Sequence, residues 1–386
     1  AGLYRGIQDF ARGLGGDVLS FDGHALDCVG RPGAAVVRRI SSGQGWFARR
    51  VLALNMAAVQ AADIAVAGAE LLVAHSLFRA HAPWTRDWAV RHRRPYWVVP
   101  HGCLDPAGLA RRAVAKRLWL SWHAPGLFGD ASAVVFATRR EREKADVWIR
   151  RRAGMSAGAG GARSVVVHWP VDLPSLSGVD RSREAFRSRY RIPEAAPVLL
   201  FVGRLHTTKR PDQVIRAFVA ANVTDTHLVV VGMEENLTLA DLQAAVPASF
   251  VPRIHIIGEL RGDALEEAWL AADGYISLSE KENFGYTAAD ALARGLPVIL
   301  SSGHDLAYEL PGAENGRLAC GWLLPDNSLH SAVQAVREWS ELVAPAAATP
   351  RRLEGMRQAG RNWAADHLSF ERFQVALAQL ASGSLR

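Results

Sequence analysis

The sequence predicts an α/β protein made of two doubly wound parallel-sheet domains. Short unbroken apolar runs alternate with amphipathic segments along the chain, and most of those runs end in glycine or a polar residue. The 386 residues also exceed what one ordinary hydrophobic core accommodates.

In the N-terminal half, "VLALNMAAVQAADIAVAGAELLVA" carries Asn55, Gln60, Asp63 and Glu70, too many polar groups for a bilayer span. It reads as a helix followed by a strand at 70–76. Further strands follow at 96–102, 133–138 and 164–169, with a helix over 111–122 between two of them. Trp119 and Trp122 in that helix are expected in the core, although "KRLWLSWHAPGLF" also has the character of a basic interfacial helix. The Gly-rich stretch 155–163 is a loop. The Pro/Ser/Gly segment 170–180 is the expected hinge between a domain at 1–175 and one at 176–366.

The C-terminal half has the clearer grammar. Strands are predicted at 197–205, 227–232, 254–260, 274–279 and 296–301, with helices at 211–221, 238–246, 263–272 and 287–295. A closing amphipathic helix over 369–382 has no strand after it.

Composition narrows the functional classes. Residues 1–175 hold 24 Lys and Arg against 13 Asp and Glu, and the remainder holds 21 against 25, for the overall +7. A basic half suits an anionic partner such as a phosphate-bearing substrate or an acidic membrane surface; coding bias toward Arg explains it equally well. No zinc-finger, RNP-like or recognition-helix pattern supports nucleic-acid binding. Cys28, Cys103 and Cys320 are odd in number and widely spaced, which argues against a disulfide framework or a structural zinc site and fits a reducing, cytoplasmic setting. No signal peptide is visible, and the chain is expected to be soluble.

The chemistry concentrates in "SEKENFGYTAADALARGLPVI", residues 279–299. A strand ends there, a Glu282–Gly285 turn follows, and a helix begins. Its first amide N–H groups, from about Gly285 through Tyr286 to Thr287, lack intrahelical partners and carry the positive end of the helix dipole. A diphosphate fits that position, and Gly285 permits close backbone approach. Asp290, about one turn further on, is placed to accept from ribose hydroxyls. Glu282, ahead of the turn, is placed to meet a polar group beyond the far phosphate. The loop "GRLHTTKR" after the first C-half strand supplies Arg204 and Lys209, one forked cation and one point charge, at the same sheet edge. Neither a P-loop nor a dinucleotide fingerprint is present.

"FVGRLHTTK", "EKENFGYTAADALARGLPVI", "PHGCLDP…KRLWL" and the closing helix together resemble the nucleotide-sugar-dependent retaining glycosyltransferases of family 4 over nearly the whole chain. The resemblance implies the GT-B fold: two facing Rossmann-like domains with an interdomain cleft, the helix at 367–386 completing the N-terminal acceptor domain, and 176–366 forming the donor domain. It implies that Gly203, Arg204 and Lys209 and the backbone from Asn283 and Phe284 to Thr287 bind the donor diphosphate. Glu282 then contacts the donor sugar, Asp290 the ribose, and the backbone at Ile257, Gly258 and Glu259 the base. His101, and Gly2 near the acceptor, are implied to line the cleft. Glu282, His101, Arg204 and Lys209 are the implied catalytic set.

The sequence departs from the family pattern in four places. Asp290 replaces a glutamate, Lys209-Arg210 replaces Lys-Gly, and "HWPVD" replaces "PNGVD". The chain also opens at the family's glycine loop, without the preceding strand, which implies an N-terminally shortened sequence.

The implied reaction is metal-independent transfer of a sugar from a nucleotide-diphosphate sugar, with no cofactor, to a sugar or lipid-linked acceptor in polysaccharide, lipopolysaccharide or glycolipid synthesis. The enzyme would be cytoplasmic and membrane-associated. A degenerate relative that binds nucleotide sugar or a partner protein without turnover remains the alternative.

Overall fold

Helix and strand alternate through the computed structural model, which describes residues 2–20, 37–39, 56–110, 112–153, 163–174, 179–344 and 350–385. The expected loop at 155–163 and hinge at 170–180 lie partly outside these residues, as does Cys28. Internal packing divides the chain into two units, Ala1–Pro170 with Phe370–Arg386, and Val171–Ser369.

The first unit runs α1 (Gly2–Leu14), β1 (Val18–Ser20), β2 (Val37–Arg39), α2 (Met56–Ala65), β3 (Leu72–His75), α3 (His81–His92), β4 (Tyr96–Val99), α4 (Pro106–Ala110), α5 (Ala113–Gly129), β5 (Ala133–Phe136), α6 (Arg139–Ala153) and β6 (Arg163–Val166). Strands β3 to β6 form a parallel sheet in sequence order, and β1 pairs with β2 in a separate parallel pair. β4 and β5 are buried at every position, as strands covered on both faces must be.

The second unit continues with α7 (Val179–Arg189), β7 (Val198–Val202), α8 (Pro211–Ala221), β8 (His227–Val231), α9 (Leu239–Ala244), β9 (Ile254–Ile257), α10 (Asp263–Ala271), β10 (Gly274–Ser277), α11 (Tyr286–Ala293), β11 (Val298–Leu300), β12 (Arg317–Leu318), β13 (Gly321–Leu323), α12 (Leu329–Val343) and α13 (Pro350–Leu368). Its sheet has the order β12-β13-β11-β10-β7-β8-β9, and β12 alone is antiparallel to its neighbour. From β7 the chain winds outward through β8 and β9, then returns to the other side of β7 as β10. That reversal opens a crevice at the carboxyl ends of β7 and β10, where their outgoing loops diverge.

Both faces of this sheet are packed. Phe201, Val214, Ile215 and Phe218 join Val336 and Trp339 in one buried cluster. Asp273, just ahead of β10, accepts from the Val198 amide (2.9 Å) and from Arg187 (3.0 Å) and Arg183 (2.9 Å). Arg187 is 1% exposed and also donates from Nη1 to the carbonyls of Pro193, Glu194 and Ala196, so its two Nη atoms are paired while the buried Nε has no hydrogen-bond partner.

The closing helix α14 (Phe370–Ala381) returns to the first unit. Phe373 meets Phe10 of α1 edge-on at 5.2 Å, and a Cβ on Gly13 would stand only 2.8 Å from Leu377 Cδ1.

Three expectations need correction. The helix predicted at 111–122 runs from 113 to 129, and its two tryptophans part company: Trp119 is 2% exposed but Trp122 is 73% exposed. The strand expected over 254–260 ends at Ile257, because β9 is an edge strand and its neighbour β8 ends opposite it at Val231. The second sheet also gains β12 and β13, whose two- and three-residue lengths leave no period to read.

Candidate active site

The crevice between β7 and β10 is built from two loops. The β7 loop passes Gly203 and Arg204 into a single 3-10 turn, Thr207–Lys209. Its N-cap is His206, whose Nδ1 accepts from the Thr208 amide (3.0 Å). The β10 loop carries Glu280 to Gly285. A backbone bond from Glu280 N to Thr208 O (3.0 Å) ties the two together. Across this tie Lys209 Nζ donates to Glu282 Oε2, with the side chains 19% and 20% exposed.

Glu282 is held on its other side by the loop after β11. Its N–H donates to Gly303 O (2.9 Å), and its carbonyl accepts from Asp305 N (2.8 Å). Gly303 is required there because a Cβ would come within 2.4 Å of both the Ser279 and Glu280 carbonyls. Phe284 is buried and meets the Tyr286 ring edge-on at 5.0 Å, anchoring the turn. Gly285 follows at φ 75° as the N-cap of α11, a left-handed conformation suited to glycine. α11 therefore begins, with the positive end of its dipole, where the β10 loop ends. Thr287 Oγ1 is fixed by the Tyr275 hydroxyl at 2.8 Å. Asp290 lies one turn into α11; burial, with a smaller push from the Asp290 carboxylate and against the hydrogen bonds to Thr287 and Ser277, raises the Tyr275 phenol to about 12.

Arg204 does not join Lys209 on Glu282. Its Nη1 donates to Glu235 Oε2 (2.5 Å) in the loop after β8. Gly203 supports this loop: Gly232 packs so tightly that a Cβ there would lie 1.9 Å from Gly203 O. Gly258 and Glu259 follow β9 at the sheet edge, three strands from β10, and Glu259 pairs with Arg261 at 3.0 Å. Inter-strand steps of about 4.8 Å place them about 14 Å along the carboxyl edge from the β10 loop. Asn283 is half-buried in the turn.

Gly2 and His101 belong to the first unit, Gly2 opening α1. His101 follows β4 at φ 51°, and its Nε2 lies 2.9 Å from His75 Nδ1. Burial lowers His101 to about 3 and holds His75 well below its ordinary range, so the pair shares its hydrogen bond as two neutral rings. Gly102 donates to the buried Glu141 carboxylate at 2.6 Å, which pins the turn.

Residues 182–362 match the family described as glycosyl transferases group 1. The chain carries a group 1 glycosyltransferase domain. The D-inositol 3-phosphate glycosyltransferase of Mycolicibacterium gilvum is 31% identical over 157 residues, 40% of this chain and 35% of that protein. A GDP-mannose-dependent alpha-(1-6)-phosphatidylinositol monomannoside mannosyltransferase of Mycolicibacterium smegmatis is 27% identical over 307 residues, 74% of this chain and 75% of that one. The chain spans half or less of the length of other curated relatives, 44% and 50% in two cases. Among solved structures, Anabaena HepE in complex with UDP and glucose superposes with a TM-score of 0.76 at 16% identity, covering 99% of this chain and 96% of HepE. That likeness shows the fold, GT-B.

Within the group 1 domain, electrostatics converge on Lys209. Burial pulls its ammonium down to about 8, with the Arg204 guanidinium pushing the same way and Glu235 opposing. The Glu282 carboxylate in contact favours the charged form, and the lysine is a cation at neutral pH.

Sequence reasoning missed His304. It is fully buried, its Nε2 lies 2.8 Å from Ser277 Oγ, and Nδ1 has no hydrogen-bond partner. The point where a Cβ would sit on Gly285 is 3.2 Å from that Nδ1 and 2.9 Å from Glu282 Cγ, so the ring underlies the Glu282–Gly285 turn. Burial, helped by Lys209, lowers His304 to about 3 and keeps it neutral. Its signal was available: "SSGHD" follows the strand at 296–301, at the carboxyl edge of the sheet. Among the described residues no group of three His, Cys, Asp or Glu side chains converges to hold a metal ion.

Proposed function

We propose that this protein is a retaining glycosyltransferase that moves a sugar from a nucleotide-diphosphate sugar to a sugar or lipid-linked acceptor in glycolipid, lipopolysaccharide or polysaccharide synthesis. The observation that carries this is the Lys209–Glu282 pair beside the α11 N-terminus, at the sheet's switch point.

The bond from the sugar's anomeric carbon to the diphosphate oxygen breaks, and its electron pair stays on the diphosphate. Lys209, Arg204 and the amides of Gly285, Tyr286 and Thr287 hold the growing charge, the largest electrostatic contribution to rate. The acceptor hydroxyl oxygen attacks on the same face, and its proton passes to a donor phosphate oxygen. Glu282 orients the sugar and Asp290 holds the ribose. The backbone at Ile257, Gly258 and Glu259 takes the base. On the acceptor side act Gly2 and His101, the latter as a neutral ring that orients the sugar. No divalent metal is required in this reading, so a chelator leaves turnover unchanged.

Relatives named for inositol phosphate and phosphatidylinositol mannoside support a phosphorylated or lipid-borne acceptor, and the basic first half supports work at an anionic membrane surface on the cytoplasmic side. The free Cys103 and Cys320 thiols suit a reducing compartment.

A panel of nucleoside diphosphates and their sugars, screened by thermal shift and then for sugar-dependent diphosphate release, tests the reading. Release abolished in Glu282→Ala and Lys209→Ala supports transfer. Binding without release in the unaltered chain would assign it instead to a non-catalytic nucleotide-sugar module.

A further inference from the structure

Helix α5 is apolar on both faces. Trp119, Leu120, Ala124, Leu127 and Phe128 are buried in the first unit. Opposite them, Val114, Leu118 and Trp122 recur every four residues and are 71%, 52% and 73% exposed. That spacing stacks them in one row, and Ala115 and Pro125 extend it as exposed neighbours. A surface helix ordinarily turns charged side chains to water on this face. An exposed row of valine, leucine and tryptophan marks a surface that meets something apolar.

The charges around the row identify the partner. Between Pro106 and Gly129 the sequence has four Lys and Arg and no Asp or Glu. Arg112 and Arg117 are exposed, whereas Lys116 turns inward, donating to Gly108 O (2.5 Å) over the Phe78 ring. All four cations precede Leu118, at the N-terminal end of the helix, where the dipole disfavours positive charge. An anionic surface compensates that arrangement. An uncharged apolar partner does not. Tryptophan beside arginine and leucine on one helix face is the composition that lies in a headgroup plane, with the apolar row sunk toward the acyl chains.

We propose that the Val114–Leu118–Trp122 row of α5, flanked by Arg112 and Arg117, is the surface by which this protein docks on an anionic lipid bilayer. This gives a location to the membrane contact in the proposed function. The test uses no sugar nucleotide, so glycosyl transfer and lipid docking can fail separately.

The full chain is sedimented with phosphatidylcholine vesicles, with and without phosphatidylglycerol, at low and high salt. The expected result is partition onto the anionic vesicles that weakens with salt. Leu118→Ser with Trp122→Ser lowers it about tenfold or more, and Arg112→Gln with Arg117→Gln lowers it severalfold. Circular dichroism and melting temperature check that the variants fold. Trp122→Phe provides a second readout, since the vesicle-induced blue shift of wild-type fluorescence is reduced in that variant. The proposal is overturned if the wild type ignores anionic vesicles, or if the serine variant sediments as well as the wild type. It is also overturned if sedimentation equilibrium shows a dimer that the serine variant dissolves, which would assign the row to a second copy of the chain.

Discussion

Lys209 and Glu282, 73 residues apart in the chain, form an ion pair across the loops that leave β7 and β10. Each is the other's counter-charge in the free protein. On the proposed function, a bound diphosphate would compete with Glu282 for the ammonium, and a donor sugar would compete with Lys209 for the carboxylate. The pair would then keep two groups charged and positioned in a half-buried crevice until a ligand with both features replaced the mutual contact.

Separating the partners gives the first prediction. Lys209→Met removes a charge-assisted contact to phosphate, expected to weaken nucleoside diphosphate binding by about 10- to 100-fold. Glu282→Gln frees Lys209 and is expected to keep or tighten diphosphate binding while sugar transfer falls at least about 100-fold. Calorimetric titration against turnover separates the two effects. Equal loss of binding in both variants contradicts the assignment.

The Lys209 ammonium, lowered to about 8 from an ordinary 10.5, makes binding pH-dependent. A diphosphate favours the charged form, so affinity declines as pH rises through about 8, approaching about tenfold per pH unit well above it. Fold stability moves the other way. Between about 8 and 10.5 the unfolded chain holds more protons than the native one, so stability rises with pH in that window. In Lys209→Met both slopes flatten, which titrations from pH 7 to 10 measure.

Acid acts on the buried histidines. His304 and His101 titrate near 3 in the fold against an ordinary 6.5, so the unfolded chain binds protons that the native chain refuses. Their contribution is complete above about 6.5 and is lost progressively as pH falls toward about 3. Melting temperatures recorded from pH 7 to 4 should drop, and His304→Asn should make the drop shallower by one titrating group. An unchanged slope would mean the ring is accessible to protons in the native state.

Arg210 takes φ 55° between the 3-10 turn and α8, a left-handed conformation. Such a conformation costs an L-residue about 1–2 kcal/mol, whereas glycine's extra unfolded-state entropy costs about 0.5–1 kcal/mol. Arg210→Gly is therefore expected to stabilise by roughly 0.5–1 kcal/mol, read as a small rise in denaturation midpoint. The chain carries arginine where the resembling family carries glycine, and the backbone still adopts glycine's conformation.

Much of the second unit was legible because its strands are buried on both faces. "PVLLFVGRL" and "HLVVVG" are apolar runs bounded by turn residues; the second became β8 to within a residue, and the first became β7, which stops at Val202, three residues short of the expected end. The turn at Asn283–Gly285 was legible too, since a glycine between a strand and an alanine-rich helix has one sensible place, the N-cap. Trp119 and Trp122 were not separable. Spacing tells that two residues share part of a helix face, but not which faces have neighbours. His304 was missed because its role comes from Ser277, Glu282 and Gly285, all brought in from the strand and turn beside it.

By itself the sequence determined the alternation of strands and helices, the edge of the sheet at which the candidate site lies, and the identity of the charged groups there. These follow from local apolar periodicity and turn chemistry, which act over a few residues. Only the tertiary structure decided that β10 returns beside β7, that Lys209 therefore meets Glu282 while Arg204 turns to Glu235, and that α5 leaves Trp122 in the open. Those outcomes depend on which strands become neighbours and which helix faces find cover, and that is set by the packing of the whole sheet.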